Sequence, residues 1–351
     1  MRHGGDSFTW STRSVAARSF ILVLAATLPA GCTQLGIGSP EVRQPIGTIP
    51  ETVDQEALNT VILEAGEQAA SGNYDSALAL FHDVLEDDPT SAPAYIGIGD
   101  IYIEQGSFSK AEPAFARAAK LEPRNFDAQF GHAVALQMLE RFIEAVRAYH
   151  RSLTIDPDSS KANLNLATTY LQMNEPNHAI VFAEKAVEVD PGNGPAWVNL
   201  GVAYERVDRW ADAAEAYVTA SERMQPTPEL MVNLLNMLVR QKRYREVINV
   251  ADTIQKLRVD GSSMERKGWA LFRLGEYKEA EEAYRAAVAI DEDEWRAYNG
   301  LGCSALNRWL LSDRMDEEAR LEARDAFRAS LQLNIEQAKV IRLMLKYGMR
   351  R

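Results

Sequence analysis

The sequence predicts an all-α protein of the solenoid class, and three observations support that prediction. Pro89, Pro123, Pro157 and Pro191 follow one another at a constant interval of 34 residues. A fixed interval of that size indicates one small structural unit copied along the chain and stacked on its neighbours. Small residues recur in phase with these prolines, and no useful stretch shows the period-2 alternation that strands require. We therefore expect one continuous array of helices.

The unit from 92 to 125 shows why each copy should fold as a helical hairpin. Counted from Ala92 as position 1, large residues occupy positions 4, 11, 17 and 24, and Gly or Ala occupies positions 8 and 20. Large residues at these positions fall on the facing sides of two antiparallel helices, and small ones let the backbones approach where the helices cross. Gly106 at position 15 suits the turn, and the proline at position 32 stops the second helix.

This pattern resembles the tetratricopeptide repeat (TPR) over residues 58–334. Eight units begin at Leu58, Ala92, Phe126, Ser160, Gly194, Pro228, Gly261 and Trp295. The resemblance implies an α-solenoid of about eight hairpins wound as a right-handed superhelix. In the sixth unit, Leu235 and Val247 replace the two small residues, so we expect that unit to pack less closely or to bend the array. The eighth unit has an insertion near 311–322, for which we expect a longer turn or longer helices.

Residues 335–351 are expected to close the array with a capping helix. An apolar stripe is predicted there, formed by Ile335, Ala338, Ile341, Met344 and Leu345. Solenoid ends need a cover with a polar outer face, because the last repeat has no neighbour to bury its apolar side.

Residues 1–31 resemble a bacterial lipoprotein signal peptide. Arg13 and Arg18 precede the apolar run 20–28, which is too short to cross a bilayer of about 30 Å as a helix. Small residues stand immediately before Cys32, and the resemblance implies that this cysteine is acylated and becomes the first residue of the mature chain. Pro29 departs from the family pattern, so cleavage by signal peptidase I after Ala30 stays an alternative.

Residues 32–57 are rich in Gly, Pro, Thr and Gln and are expected to form a flexible tether. Thr33, which follows the cysteine, implies by the family's sorting rule an outer-membrane protein facing the periplasm. A soluble periplasmic protein is the alternative if the cleavage follows Ala30. The chain has two cysteines, and we expect Cys303 to be a free thiol within the folded array.

Composition and motifs argue against nucleic-acid binding and against catalysis. The chain has 38 basic and 50 acidic residues, and a net charge of −12 repels phosphate backbones. It has no Walker loop, no Gly-x-Ser-x-Gly elbow and no His-Glu-x-x-His pair. The five histidines are scattered along the sequence. We expect no enzyme activity, no cofactor and no metal site.

The candidate site is the concave groove that TPR arrays form from their first helices. Position 6 is asparagine in three consecutive units and arginine in the next, which resembles the asparagine ladder of some TPR superhelices. An amide offers both a donor and an acceptor, so it can pair with a peptide bond whatever the side chain. The predicted groove residues are Asn165, Asn199, Asn233 and Arg266 at position 6, with Leu164, Val198 and Val232 at position 5 for apolar contact. The alternative is that asparagine occupies a solvated polar face.

Together these features predict a non-enzymatic scaffold that is anchored to a membrane and binds extended protein segments in its groove. The chain resembles TPR lipoproteins that act as pilus-assembly pilotins or as adaptors for cell-wall hydrolases. Arg266 is expected to meet an acidic residue or a phosphate-like group of the partner. The alternatives are a periplasmic spacer subunit of an enzyme complex and a self-assembling structural protein.

Overall fold

The computed structural model describes residues 55–349, and these residues form 17 helices and no strand. The helices of the first four repeats are α1 Gln55–Ala70, α2 Tyr74–Asp87, α3 Ala92–Glu104, α4 Phe108–Leu121, α5 Phe126–Met138, α6 Phe142–Ile155, α7 Ser160–Gln172 and α8 Pro176–Val189. Those of the last four are α9 Gly194–Arg206, α10 Trp210–Arg223, α11 Pro228–Arg240, α12 Tyr244–Leu257, α13 Gly261–Leu274, α14 Tyr277–Ile290, α15 Trp295–Leu311 and α16 Glu317–Leu333, and α17 Ala338–Lys346 follows them. The predicted all-α solenoid of eight hairpins is confirmed.

Both ends of each hairpin follow from local backbone chemistry. Position 15 has a left-handed backbone with φ from 58° to 85° in the first seven hairpins, and glycine occupies it in three of them, at Gly72, Gly106 and Gly275. The residues before the four periodic prolines are extended, with ψ between 82° and 91°. Extended backbone is what the proline ring imposes on the residue before it. The second helix therefore ends at the same place in each of these repeats.

Aromatic rings at position 24 join neighbouring repeats. A Cβ added to Gly99, in the same repeat as Phe115, would lie 2.6 Å from its ring, and one added to Gly131 in the next repeat would lie 2.2 Å away. Tyr284 is held in the same way between Gly268 and Gly300. Each of these rings thus fills the space between position 8 of its own repeat and position 6 of the following one.

The core of the described array is divided into several clusters. The largest contains buried residues from Ala133 to Ala270 and runs through repeats three to seven. Residues between Leu58 and Ala114 form a separate cluster in the first two repeats. Two further clusters hold repeat seven to repeat eight and repeat eight to the C-terminal helix.

The sixth and eighth repeats depart from the common geometry, as the sequence indicates. Helices α11 and α12 form the least closely packed hairpin of the eight, and Leu235 and Val247 are both buried between them. The wider spacing is filled by these larger side chains, and the looser packing or bend expected of this repeat stays a prediction. Helices α15 and α16 have 17 residues each, against 14 in each of α13 and α14. The insertion thus lengthens both helices as well as the turn at 312–316.

The predicted apolar stripe of the capping helix is wrong except at Met344. Ile335, Ile341 and Leu345 are exposed, whereas Val340, Met344 and Met349 are buried. The side chain of Gln337, which precedes α17, donates hydrogen bonds to the Ser330 carbonyl and hydroxyl oxygens at 3.0 and 2.9 Å. This buried anchor fixes the rotation of α17 and turns the Val340 face inward. Ala338 is exposed with the rest of the predicted stripe.

The boundary of the predicted tether is also corrected. Helix α1 begins at Gln55, so residues 55–57 are helical. Glu56 lies in the first turn, where the helix dipole favours a negative charge, and Leu58 is buried in the core. The predicted signal peptide, Cys32 and the remainder of the tether lie outside the described residues. No helix within 55–349 has the length and apolar character needed to cross a membrane.

Candidate protein-binding groove

The predicted groove residues lie on the first helices of repeats four to seven. Their 34-residue spacing places Asn165, Asn199 and Asn233 at the same position of α7, α9 and α11, and all three are half-buried. Helix α7 contacts α9, and α11 contacts α13, whereas α9 and α11 approach each other less closely. The structure therefore brings the helices of Asn165 and Asn199 together, and it brings the helix of Asn233 to that of Arg266.

Asn165 belongs to a chain of hydrogen bonds that links repeats three and four. Its amide pairs with the hydroxyl group of Tyr149, and that hydroxyl donates to Gln137 Oε1 at 2.6 Å. Gln137 Nε2 donates in turn to Gln172 Oε1 at 2.9 Å. Burial raises the pKa of Tyr149, so this phenol stays protonated and keeps its role as a donor.

Asn199 makes a similar contact between repeats four and five. Its Nδ2 donates to Thr168 Oγ1 at 2.6 Å, and Thr168 donates to the Leu164 carbonyl at 2.9 Å. The Asn233 side chain has no hydrogen bond to any residue within 55–349. Within that range, none of the three asparagine side-chain oxygens accepts a hydrogen bond from a side chain, so each can accept one from a ligand.

The apolar residues at position 5 lie beside the asparagines. Leu164, Val198 and Val232 are half-buried and pack against the central core cluster. Part of each side chain is therefore structural, and part is accessible for contact with a ligand. The resulting surface alternates amide and aliphatic groups, which can pair with the backbone and the side chains of an extended polypeptide.

Comparison with known proteins supports the repeat assignment. Models of the tetratricopeptide repeat match residues 68–136, 160–193, 196–229 and 263–294. These four segments of the chain are tetratricopeptide repeats. No curated protein matches it.

Several solved structures have a similar fold. PilF of Pseudomonas aeruginosa aligns with a TM-score of 0.52 and 18% identity over 58% of this chain and 92% of its own. PilW, described as a widely conserved type IV pilus biogenesis factor, aligns with a TM-score of 0.52 and 18% identity over 57% of this chain and 94% of its own. MamA has a TM-score of 0.45 and 23% identity over 48% of this chain and 92% of its own. At these identities the likeness to PilF and PilW establishes the fold alone.

Arg266, which continues the TPR position-6 series, has an ion-pair partner within the chain. Its Nε lies 3.2 Å from Glu265 Oε2, and the Glu265 side chain is nearly buried. Burial raises the pKa of Glu265, and the neighbouring Arg266 opposes that rise. An acidic group of a partner would therefore compete with Glu265 for this guanidinium.

Two groove residues were not singled out by the sequence reasoning. Thr168 at position 9 accepts the hydrogen bond from Asn199, and Trp269 at position 9 of repeat seven is half-buried. The Trp269 ring packs edge-on against Tyr244, with 5.2 Å between the ring centroids. The signal that could have found them is the same 34-residue period, read at position 9 instead of positions 5 and 6.

The groove changes its electrostatic character along the array. In repeat two, the pKa of Asp100 is raised to about 6, chiefly by burial and then by the charges of Asp127 and Glu104. Lys161 opposes this rise and also lies 4.8 Å from the centre of the Phe130 ring. The N-terminal end of the groove is thus acidic, whereas the face formed by the asparagines is neutral. Among residues 55–349 no group of His, Cys, Asp and Glu is placed to hold a metal ion.

Cys303 lies at position 9 of the eighth repeat, on α15. It is a half-buried free thiol, and burial raises its pKa. A thiol with a raised pKa is a weak nucleophile near neutral pH. Its surroundings therefore give no indication of a catalytic cysteine.

Proposed function

We propose that this TPR array is a non-enzymatic scaffold that binds an extended protein segment along the first helices of repeats four to seven. The observation that carries the proposal is the series Asn165, Asn199 and Asn233, whose side-chain oxygens accept no side-chain hydrogen bond within the described residues. These amides would pair with the peptide backbone, and Leu164 and its counterparts would contact the side chains between them. Direct amide pairing makes the binding tolerant of the partner's sequence.

We further propose that the scaffold is held at the outer membrane by lipid on Cys32 and works in pilus or secretion assembly. The lipobox-like residues before Cys32 support the anchor. The fold shared with PilW, a type IV pilus biogenesis factor, is consistent with that process. Recruitment of cell-wall enzymes is the second process that such an anchored adaptor would serve.

The groove is tested with a partner recovered from detergent-solubilised native membranes by affinity purification. Asn165, Asn199 and Asn233 are changed together to alanine, and the affinity is measured by titration. Each neutral hydrogen bond is worth about 0.5–1.5 kcal/mol, so three additive losses weaken binding roughly ten- to two-thousand-fold. The matched control is Asn59→Ala with Asn249→Ala, which removes two exposed helical amides elsewhere in the array.

Circular dichroism confirms that each variant remains helical. Unchanged affinity of the triple variant would show that the asparagines form only a solvated face and would end the proposal. The anchor is tested separately by Cys32→Ser, which should move the protein into the soluble envelope fraction. A mature chain that begins at Gly31 without acyl mass would contradict the lipid anchor.

A further inference from the structure

A cavity lies between repeats two and three, apart from the asparagine face. It has a volume of about 550 Å³, within the range of about 300–1,000 Å³ that is usual for ligand sites. One wall is the loop that leads from α4 to α5, and another is the end of α6. The lining residues are Pro123, Arg124, Gln129, Arg151, Thr154 and Ile155. None of them belongs to the predicted groove.

The cavity is lined by two basic side chains and by no acidic one. Arg124 and Arg151 are exposed, and neither forms an ion pair with a residue in 55–349. Glu122 and Asp156, which lie close to them in the sequence, do not line the cavity, and Glu122 accepts a hydrogen bond from Asn125 at 2.9 Å. Two positive charges without a counter-charge repel each other, and an anion between them removes that repulsion.

Gln129 fixes the direction of the Arg151 side chain. Gln129 is 3% exposed, and its Oε1 accepts a hydrogen bond from Arg151 Nε at 2.7 Å. Its Nε2 donates to the Pro123 carbonyl at 3.3 Å and to the Ala119 carbonyl at 3.5 Å, so the amide is held on both sides. The two terminal nitrogens of Arg151 have no hydrogen bond within the described residues. Such a planar pair of donors binds two oxygen atoms of one oxyanion.

The surface around the cavity is also basic. Arg117 and Lys120 on α4 and Arg147 on α6 are exposed, and none of them has an ion pair in the part of the chain that the structure describes. The charge of Glu144, also on α6, is compensated by Arg141 at 2.7 Å. This face therefore attracts anions, although the whole chain has a net charge of −12.

A phosphate group fits this arrangement better than a carboxylate does. A carboxylate compensates one of the two positive charges, whereas a phosphate monoester carries about −1.5 to −2 at neutral pH. Its three oxygens can accept hydrogen bonds from both terminal nitrogens of Arg151 and from Arg124. The carbonyl groups at the end of α6 oppose an anion, so both guanidinium groups are needed to hold it. Pro123 and Ile155 offer apolar contact to the organic part of the ligand.

We propose that this cavity binds a phosphate monoester. The terminal nitrogens of Arg151 hold two phosphate oxygens, Arg124 holds the third, and Gln129 keeps Arg151 directed at the ligand. The phosphate belongs either to a soluble organic ester or to a lipid headgroup that ends in a phosphate. The site is independent of the asparagine face, so it stands whether or not the groove binds a protein segment.

The test measures binding of glycerol 3-phosphate to the full-length chain by equilibrium dialysis in a phosphate-free buffer. The wild type should bind it saturably, and acetate should compete much more weakly. Arg151→Gln should weaken binding roughly ten- to a hundredfold, because it removes charge-assisted hydrogen bonds from an oriented side chain. Arg124→Gln should weaken binding roughly two- to fivefold, because no neighbour orients Arg124 and exposed charges pair weakly.

Arg117→Gln is the matched control. Arg117 occupies position 26 of repeat two as Arg151 does in repeat three, and it is likewise exposed and without an ion pair within 55–349, but it does not line the cavity. It should bind nearly as the wild type does. Thr154→Glu places a carboxylate in the exposed cavity wall and should abolish binding without loss of helicity by circular dichroism. Equal weakening by Arg117→Gln and Arg151→Gln would overturn the site, since a general positive field would then explain the binding.

Vesicles distinguish the two sources of the phosphate. Flotation with phosphatidylcholine vesicles, with and without phosphatidic acid, is measured in the Cys32→Ser background so that lipid on Cys32 does not contribute. Flotation that needs both phosphatidic acid and Arg151 would support the site with a lipid as its ligand. Dialysis binding without such flotation would support it with a soluble ester. The proposal is overturned if neither probe binds in a way that depends on Arg151, or if acetyl-Glu-Glu-Glu-amide binds more tightly than glycerol 3-phosphate.

Discussion

Single side chains set how closely neighbouring repeats approach. Where position 24 carries a ring such as that of Phe115, the following position 6 is glycine at Gly131. Where position 24 is the buried Ala183, position 6 has room for Asn199. Position 6 therefore serves the contact between repeats as well as the groove. Among the three asparagines, Asn199 follows a repeat without this ring, and Asn165 pairs with the ring hydroxyl of Tyr149. Asn233 follows Tyr217, whose hydroxyl donates to Glu205 instead.

The first prediction concerns this contact. Gly131→Ala places a Cβ 2.2 Å from the Phe115 ring, so the free energy of unfolding should fall by about 1–3 kcal/mol. Gly66 is the control, because it is also helical but has no atom within 4 Å of an added Cβ. Gly66→Ala should raise the free energy of unfolding by about 0.5–1 kcal/mol. Urea denaturation followed by circular dichroism measures both, and equal effects would contradict the packing described for Phe115.

The second prediction concerns the buried carboxyl group of Glu265. Its folded-state pKa is raised, so its contribution to stability is complete below the ordinary value of about 4.3 and is lost as the pH rises through the raised value. Glu265→Gln should therefore become progressively more stable than wild type as the pH is raised from about 4 to 7. Free energies of unfolding across this range test the change. Glu292→Gln in an exposed turn is the control, and a pH-independent difference for Glu265→Gln would refute the argument.

At the scale of helices, the sixth hairpin shows that the two helices of a repeat can pack at a wider distance than in the other hairpins. Leu235 and Val247 stand where other repeats have small residues, yet both are buried and the helices lie farther apart. The backbone has adjusted to the larger side chains, and the central core cluster passes through this repeat. The wider crossing is therefore filled by side chains.

The third prediction follows from that filled crossing. Leu235→Ala should leave a cavity and lower the free energy of unfolding by about 2–5 kcal/mol. Ala213→Val, at the close crossing of the fifth repeat, should instead lower it by about 1–3 kcal/mol through overpacking. Ala213 is fully buried, so the added methyl groups have no space. Chemical denaturation measures the free energy of unfolding of both variants. A higher free energy of unfolding for Leu235→Ala than for wild type would mean that the sixth hairpin is strained.

For the described array as a whole, stability should be distributed unevenly. The first two repeats have a core of their own, and the central cluster begins only at Ala133. Solenoids couple each repeat to its neighbours alone, so separate clusters can unfold separately. Within residues 55–349, every tryptophan lies beyond residue 196.

The fourth prediction uses that distribution of tryptophans. In the Trp10→Phe background, fluorescence reports on the C-terminal half, whereas circular dichroism reports on all helices. The two urea transitions should not coincide, because repeats with separate core clusters can unfold separately. Adding Gly131→Ala should move the circular dichroism transition more than the fluorescence transition. Superimposable transitions in both proteins would show that the clusters unfold as one.

Short-range information in the sequence determined the repeat architecture. Proline forces the preceding residue into extended backbone, and periodic small residues mark where helices cross, so the hairpins and their ends could be read before any contact was known. The positions of Asn165, Asn199 and Asn233 on one face followed from the same period. The contact between Asn199 and Thr168 was missed because it depends on how α9 packs against α7. Arg266 instead pairs with its sequence neighbour Glu265, whose burial depends on the surrounding helices.

Tertiary structure alone decided three further features. The anchor made by Gln337 set the rotation of α17, which an amphipathic pattern of so few residues could not fix. Arg308 on α15 pairs with Glu281 on α14 and with Glu322 on α16, and no single helix specifies that contact. Burial of Glu265 and Ser304 depends on the distance to the next repeat. The pattern that forms each hairpin is repeated along the sequence. The contacts between neighbouring repeats are not repeated, because the side chains at the contact differ from one pair of repeats to the next, and these contacts give each repeat its individual chemistry.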